Sequence, residues 1–508
     1  MGGRSCPPWP PCGSMSLRTT YESEVDDTTI TVEVEIDKRE IETFGDLEKA
    51  AFRMAMEFGQ KLVVTVLETR DEELREERDK KRYRCKGRRK TCIKTKLGEI
   101  DFRRNVYIDR AAPEQASCVY LLDEELGIDC VGLVSKELCQ IAASAVCETS
   151  YRGAAKLISD TTGQSISAQG VWNIIQKIGI TREKQIEGQA NEAAHHNGTG
   201  VVQSPVLYEE NDGVWLNLQG KSRKRYGRSK EMKVGIAYDG ATWQIGKGGK
   251  KRRTLDCKVA YASFETAREF QRNKEGVVAS RFDVDEIDLR VINGDGAQWI
   301  QENGDADCIG VLDQFHRNKK ITECVRDPVF GKLLRDLLYE KRIEDLMDCL
   351  EAQIHSVMDE QEKTDLCELQ RYYRNNKDAL LGYYDRGRTI PPTKEPGVIH
   401  HARLGSMESN VFTLIGNRMK GRRACWSIDG ANHLALILCA YHTTGLEGLF
   451  AAPYSVEMSE PLTATCSSAS IQKKVGKGAK HYRSASLPNY AWLRDLTAYI
   501  SFPELNFS

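Results

Sequence analysis

The sequence predicts a multidomain α/β protein, and three observations carry that expectation. In LRVINGDGAQWI, residues 289 to 300, an apolar run (Leu289, Val291, Ile292) breaks at Asn293-Gly294 and resumes at helical spacing as Ala297, Trp299 and Ile300. That is the pattern of strand, sharp turn and helix. Before it, segments rich in β-branched and aromatic residues at 205–218, 231–238 and 256–263 read as three successive strands. After it, residues 327–388 carry a charge-rich amphipathic helical pattern.

Charge is balanced, with 73 Lys and Arg against 74 Asp and Glu, so the net charge offers no global argument for a polyanionic partner. The charges nevertheless come in blocks. Basic clusters occupy 80–96, 221–233, 247–253 and 473–483, and acidic residues dominate 21–49 and the helices after 330. Local patches govern phosphate contact. Sixteen cysteines scattered through a chain with no secretory signal read as reduced thiols of a cytoplasmic protein. The opening MGGRSCPPWPPCGSMSL has no apolar core, and translation is expected to begin at Met15. The longest apolar stretch, 434–441, suits a buried element and is too short to cross a bilayer, so no membrane association is expected.

Taken in order, residues 1–38 form an N-terminal extension in which TTITVEVEID alternates as a short strand. Residues 39–118 combine one or two helices, ending in the solvated RDEELREERDKKR, with a β-hairpin turning at Leu97-Gly98-Glu99. Its basic face offers Lys94, Lys96, Arg103 and Arg104 to phosphates; an ordinary surface hairpin accounts for them equally well. Cys85 and Cys92 flank a basic turn at a spacing unlike a zinc knuckle and read as free thiols.

Residues 119–180 are helical. SYRGAAKLISDTTGQSISAQGVWNIIQKIG reads as helix, Gly-containing turn and helix, with Ser167 as N-cap of the second. In a helix-turn-helix the early residues of the second helix meet bases, which points to Gln164, Ser165, Ser167, Gln169 and Asn173, although most such helical pairs never touch DNA. Residues 181–204 read as a linker, with His195-His196 as linker residues. The core would then occupy 205–326, a helical insertion 327–400, a second part of the core 401–452 and a tail 453–508.

Three carboxylates give this layout a chemistry. Asp295 sits at the carboxyl end of a strand, where loops carry ligands and catalytic groups, although a helix-capping role alone explains it too. Asp212 lies in or beside the strand VLYEENDGVWLNLQG, with Trp215 close behind. Glu408 belongs to the helix GSMESNVFTLIGNRM and falls, by its spacing to Phe412 and Ile415, on the buried flank, where a carboxylate needs a partner or a metal. The order Asp, Asp, Glu is the pattern that holds two hard divalent cations for in-line phosphoryl transfer.

The phrases DGVWLNLQG, INGDGAQWI, DQFH and GSMESNV, with KTKLGEIDFRRNVYID upstream, resemble the ISLre-type insertion-sequence transposases, relatives of the Mutator-like group, over roughly residues 40 to 440. The resemblance implies a helical and β-hairpin N-terminal DNA-binding region and an RNase H-like mixed-sheet catalytic domain with an all-helical insertion. It implies a DDE triad of Asp212, Asp295 and Glu408 holding two Mg²⁺ (or Mn²⁺) ions, for metal-dependent cleavage and strand transfer at element ends. The implied partners are the terminal inverted repeats, target DNA and a second copy of the chain, in a bacterial cytoplasm and at the nucleoid.

Around that triad, Asp313 and His316 of DQFH share a helix face near the metals, as orienting or phosphate-contacting groups. Asp313 reads more simply as an N-cap, and His316 equally as a satisfied helix-start histidine. Arg228 and Lys230, on the basic turn after the first core strand, would contact the phosphodiester, and Trp426 of RRACWSIDGANHLA would stack on a base or pack beneath the site. Tyr372, Tyr373, Tyr383 and Tyr384 read as packing within the insertion. Two alternatives stand beside transposition: a catalytically inactive DNA-binding descendant, and an RNase H-like nuclease that hydrolyses without transfer. A glycosidase reading is weaker, because basic patches favour phosphate.

Overall fold

The computed structural model describes residues 15–21, 30–36, 41–111, 118–128, 134–196, 198–245, 249, 251–301, 308–386, 391 and 404–450. These residues form two compact units. The first holds those up to Ala145 together with Ser150–Val171, and the second holds Val146–Thr149 and those from Trp172 onward.

In the first unit, β1 (Met15–Tyr21) pairs antiparallel with β2 (Ile30–Ile36). One continuous helix follows, α1 (Phe44–Glu77), started by a capping box in which Thr43 and Asp46 satisfy each other's backbone N–H. The basic hairpin is β3 (Tyr83–Thr95) and β4 (Gly98–Asp109), extended by the two-residue β5 (Cys118–Val119). Gly98 closes the hairpin at a φ of 110°, and a Cβ there would strike the Gln60 amide. Ile93, Ile100 and Phe102 face Val63, Val64 and Leu67 of α1, giving the hairpin one buried side. Buried Asp71 is explained by Asn105, whose backbone and side-chain amides both donate to its carboxylate, at 2.8 and 2.7 Å.

Helices α2 (Leu121–Leu126), α3 (Lys136–Glu148), α4 (Tyr151–Thr162) and α5 (Ala168–Ala194) continue the chain. Gly163 ends α4 in the left-handed region, and the Ser167 hydroxyl accepts from Gly170 N at the start of α5. The helix-turn-helix layout is therefore present in sequence position. The expected linker is not: residues 181–194 remain helical, because Ile186 and Ala190 are buried and reward continuation of α5.

The second unit is built on a five-stranded mixed sheet. Its strands are β6 (Val206–Asn217), β7 (Ser229–Tyr238), β10 (Val259–Ser263), β11 (Leu289–Gly294) and β12 (Cys308–Leu312), in the order β10-β7-β6-β11-β12. The first three form an antiparallel meander, and β11 and β12 run parallel to β6. The meander is interrupted by a side hairpin, β8 (Gly240–Ile245) and β9 (Lys251–Asp256); of its basic tip, residues 246–248 and 250 lie outside the described residues.

The turn after β6 carries α6 (Gly220–Tyr226) where a bare hairpin tip was expected. On one face of the sheet α7 (Ala267–Ala279) and the later α15 (Ile428–Tyr441) bury Phe270, Val278 and Leu436 against Leu207, Ala237 and Tyr261. The short α8 (Gln298–Gln301) follows β11.

After β12, helices α9 (Gln314–Cys324), α10 (Pro328–Tyr339), α11 (Ile343–Ser356) and α12 (Glu360–Asn375) pack around their own core, with Leu334, Leu346, Leu366, Leu369 and Tyr373 fully or almost fully buried. This all-helical body intervenes between the two parts of the sheet unit. The chain returns at α13 (Met407–Val411), passes a π-helical turn at Phe412–Gly416 and ends the segment with α14 (Asn417–Met419). The tail 453–508 lies outside the described residues.

Candidate active site

Strand β6 runs unbroken through EENDG, within the stretch 205–218 expected to be a strand. It can do so because the buried carboxylates of Glu209 and Glu210 and the Asn211 carbonyl all find partners, although Asn211 Nδ2 has none among the described residues. Glu209, fully buried, accepts from Lys274 Nζ at 2.6 Å and from an Arg290 guanidinium nitrogen at 3.1 Å. Burial alone would raise its pKa, but the two cations outweigh that and hold it below the ordinary glutamate value. Asn211, on the same face, accepts from the same Lys274 at 3.2 Å. Glu210 points the other way. Its carboxylate accepts from Tyr238 Oη at 2.7 Å, Asn293 Nδ2 at 2.9 Å, Gly405 N at 2.9 Å and Ser406 N at 3.0 Å.

Two residues on, Asp212 is half-buried in the middle of β6, just past the last residue that pairs with β11. The parallel register, with Asn293 opposite Glu210, brings Asp295 level with it one strand over. Asp295 Oδ1 accepts from Ala297 N at 2.8 Å, and its backbone carbonyl accepts from Tyr372 Oη at 2.7 Å. Gly296, at a φ of 84°, lies so close to Asn376 that a Cβ would meet its amide at 2.9 Å. The carboxyl-terminal turn of α12 thus clamps the Asp295 loop, so Tyr372 does more than the packing expected of it.

Asp313 is the N-cap of α9, accepting from Phe315 N and His316 N, and its other oxygen accepts from Asn293 Nδ2 at 3.0 Å. One amide thereby links Asp313 to Glu210. His316 Nε2 lies 3.7 Å from Asp212 Oδ2. Its pKa is raised chiefly by the bond to Asp212, with burial opposing and Asp313 and Asp295 adding to the rise. Four groups expected to act together (Asp212, Asp295, Asp313, His316) are thus gathered beside the carboxyl ends of β11 and β12.

Glu231 of β7 is a fourth acidic group that the sequence reading missed. It is half-buried, and its pKa is raised by burial and then by Asp295, with Lys233 opposing and Asp212 adding. It reaches across because Gly213 has no side chain: a Cβ there would sit 2.1 Å from Glu231 Oε1. A strand glycine facing a cross-strand acid is the signal that could have found it.

Glu408 corrects an expectation. It is exposed, whereas Met407 and Asn410 are the buried residues of α13. Leu414 and Ile415 of the π-turn face inward, and Phe412 is 62% exposed. The helix start is nonetheless fixed to the sheet by the two N–H groups that Gly405 and Ser406 donate to Glu210, and α13 packs on β6. Glu408 is carried one turn beyond that anchor, open to solvent.

Other expected contact residues fare unevenly. Trp426 is 8% exposed, donates Nε1–H to Met419 O at 2.9 Å and extends β6 through its backbone, so it packs and does not present its ring to a base. Gln164 is 3% exposed with its amide turned to Ser165 O, so it holds the turn and does not reach a groove. Ser165, Ser167, Gln169 and Asn173 are exposed. Lys94 donates to Ser165 O at 3.2 Å, and Arg103 is exposed. Arg228 is exposed, whereas Lys230 donates to Phe264 O and lies 4.6 Å from the Tyr226 ring.

The donor chemistry of this carboxylate set suits a hard divalent cation, but the ligand atoms of Asp212, Asp295 and Glu231 do not all lie within 4.8 Å of one another. Asp212, Asp295 and Glu231 repel one another with no guanidinium or ammonium bonded to any of them among the described residues, and oxygen donors are what Mg²⁺ takes. Among the described residues only Cys92, Glu99 and Asp101, on the first unit, bring three such ligand atoms within 4.8 Å of one another. There Lys90 pairs with Asp101 at 2.8 Å, and burial and Glu99 push the Cys92 thiol up to about 12, which accounts for the group without an ion.

Comparison with known proteins gives a family and distant relatives. A family model described as "Uncharacterised protein family (UPF0236)" matches residues 39–449. A UPF0236 protein of Caldanaerobacter subterraneus subsp. tengcongensis is 22% identical over 71% of this chain and 75% of its own length. Another from that organism, whose name joins eleven loci, is 24% identical over 67% and 68%. The "UPF0236 protein in vanSb 3'region" of Streptococcus gallolyticus is 22% identical over 70% and 73%. The solved "Drosophila P element transposase strand transfer complex" aligns with 65% of this chain and 83% of its own at 9% identity and a TM-score of 0.19.

Proposed function

We propose that this chain, which belongs to the uncharacterised protein family UPF0236, is a DDE transposase with an RNase H-like core that cleaves and joins DNA at the ends of an insertion sequence. One observation carries the reading. The sheet order β10-β7-β6-β11-β12, a meander followed by two strands parallel to its first, is the order an RNase H-like core requires, and Asp212 in mid-β6 lies beside the end of β11 that leads into Asp295, which supports this reading. The all-helical body and the return at α13, bearing Glu408, complete the order of parts. A relative whose name joins eleven loci in one organism is what a self-copying sequence would leave behind.

In this reading Asp212, Asp295 and Glu408 hold two Mg²⁺ or Mn²⁺ ions, which would supply a bound water of lowered pKa and neutralise charge on the leaving oxygen. Tyr372 and Asn376 keep the Asp295 loop in place, and Glu210 docks the start of the helix carrying Glu408. His316, its pKa raised by Asp212, is a brace for the Asp212 carboxylate and, when protonated, would offer a positive charge to the scissile phosphate. Glu231 adds negative charge behind Asp212. The exposure of Glu408 leaves the site open to a duplex. No covalent protein intermediate is required.

Ser165, Ser167, Gln169 and Asn173 on the turn and early α5, together with Lys94, Arg103 and Arg228, are the DNA-contacting residues of this proposal. Two copies would act on DNA, one site per element end. Among the described residues no helix is long and apolar enough to cross a membrane. Action at the bacterial nucleoid belongs to the proposal.

The test is cleavage of a labelled duplex carrying the element end, with Mg²⁺ or Mn²⁺, by wild type and Asp295→Asn. Metal-dependent nicking at the end, lost in Asp295→Asn with DNA binding retained, is expected. Cutting by the variant at the wild-type rate would overturn the assignment. A second reading, hydrolysis without joining, uses the same carboxylates, and the appearance of joined product separates the two.

A further inference from the structure

A cavity of about 160 Å³ lies in the second unit, between α5, β10, the end of α7 and α15. It is lined by Arg182, Tyr261, Ser280, Arg281, Cys439 and Thr444 among others, and by no aspartate or glutamate. Its charges are unbalanced. The Arg182 guanidinium has a single long hydrogen bond, to Gln185 Oε1 at 3.4 Å, and neither it nor Arg281 is ion-paired with any carboxylate among the described residues. Burial pushes the Arg182 pKa down. Lys258 stands alongside, its ammonium bonded to the neutral Asn410 Oδ1 at 3.1 Å and its pKa likewise pushed down by burial. Both cations act on the buried Cys439, which places them around the same space.

A guanidinium partly withdrawn from water without a counter-charge is unfavourable, so such a group is retained where something anionic joins it. The available donors favour an oxyanion. Tyr261 already donates to Glu265, Ser280 to Val277 O, Thr443 to Cys439 O and Arg281 in part to the Cys257 thiol, which leaves the Arg182 fork, the remaining Arg281 N–H groups and the Thr444 hydroxyl. A planar fork matches two oxygens of a tetrahedral anion. The volume equals about five waters, enough for one phosphate group with water beside it.

We propose that this cavity is an oxyanion site of the phosphate class, separate from the carboxylate site, in which Arg182 and Arg281 hold either free phosphate or one phosphodiester of a DNA strand. The proposal does not depend on catalysis by the carboxylates.

Two measurements on the full chain test it, with wild type, Arg182→Gln and Arg281→Gln. One is thermal unfolding in inorganic phosphate or pyrophosphate against potassium chloride of equal ionic strength. The other is DNA-duplex affinity as a function of salt. A saturable rise in Tm with phosphate, its half-point moved about tenfold upward in each variant while DNA affinity holds, identifies free phosphate as the ligand. DNA affinity lowered about tenfold in each variant, with a shallower salt dependence, identifies the phosphodiester. Arg281 is exposed, so its variant keeps the fold even if Arg182→Gln does not. Without any phosphate, Arg182→Gln should match or exceed the wild-type Tm, because it removes a half-buried charge with no counter-charge among the described residues. Unchanged phosphate response and unchanged DNA affinity in Arg281→Gln would overturn the site, as would an Arg182→Gln chain that loses stability without losing anion affinity.

Discussion

Glu210→Gln is the sharpest perturbation of the link between the sheet and the helix that bears Glu408. An amide nitrogen is tolerated only on the Tyr238 side, where the hydroxyl can reverse and accept; the remaining carbonyl then faces Asn293 Nδ2, Gly405 N and Ser406 N. A hydrogen bond to a charged acceptor contributes ~1.5–3 kcal/mol and a neutral one ~0.5–1.5, so each of the three loses ~1–1.5 kcal/mol. Two of them anchor Gly405 and Ser406, so the helix start loses ~2–3 kcal/mol of docking energy. Local opening should rise about 30- to 150-fold at that cost. Native-state hydrogen exchange at the amides of Met407–Val411 reads it directly, and cleavage should fall in the same direction. Exchange within about threefold of wild type would refute the role given to Glu210, since two charge-assisted bonds cannot vanish from a docked helix without loosening it.

Tyr372→Phe removes the 2.7 Å bond to the Asp295 carbonyl, and the ~1 kcal/mol lost should lower kcat about three- to tenfold with little change in DNA affinity; an unchanged kcat would show that the loop holds itself. Lys274→Met leaves fully buried Glu209 with Arg290 alone, and calorimetry should show a loss of ~3–5 kcal/mol, which the double variant with Glu209→Met largely restores. Because the folded pKa of Glu209 lies below 4.5, its contribution is present above that pH and lost as pH falls through the lower folded value. Glu209→Gln should therefore flatten the acid limb of the Tm profile below about pH 4.5, and an unaltered limb would contradict the pairing. Gly213→Ala drives a Cβ to 2.1 Å from Glu231 Oε1, costing ~1–3 kcal/mol, and adding Glu231→Ala should recover most of it; strictly additive effects would place Glu231 elsewhere.

Periodicity made several features legible without coordinates. The break of an apolar run at Asn293-Gly294 put Asp295 at a strand end, and the structure has β11 finish at Gly294. The hairpin about Leu97-Gly98, the turn before Ser167, the helices after 327 and the buried stretch 434–441 all follow from local rules that act within about four residues, and they stand where those rules place them.

Which faces meet is a different matter, because a strand or helix repeat assigns residues to a side without saying what covers it. Glu209, Glu210 and Asn211 have no partners within reach along the chain. Lys274, Arg290, Tyr238, Asn293 and Gly405 supply them from elsewhere and let EENDG run as a central strand. Glu231 joins Asp295 only across a register that Gly213 leaves open, and Trp426 is buried only because its backbone extends β6. Glu408 faces solvent because Met407, Asn410, Leu414 and Ile415 form the buried face of this helix and Glu408 falls beside exposed Phe412 on the other. The sequence alone determined the kinds of groups and the elements carrying them, through short-range sterics and hydrophobic spacing. Only the tertiary structure decided their partners, because the satisfaction of a buried charge depends on residues tens to hundreds of positions away.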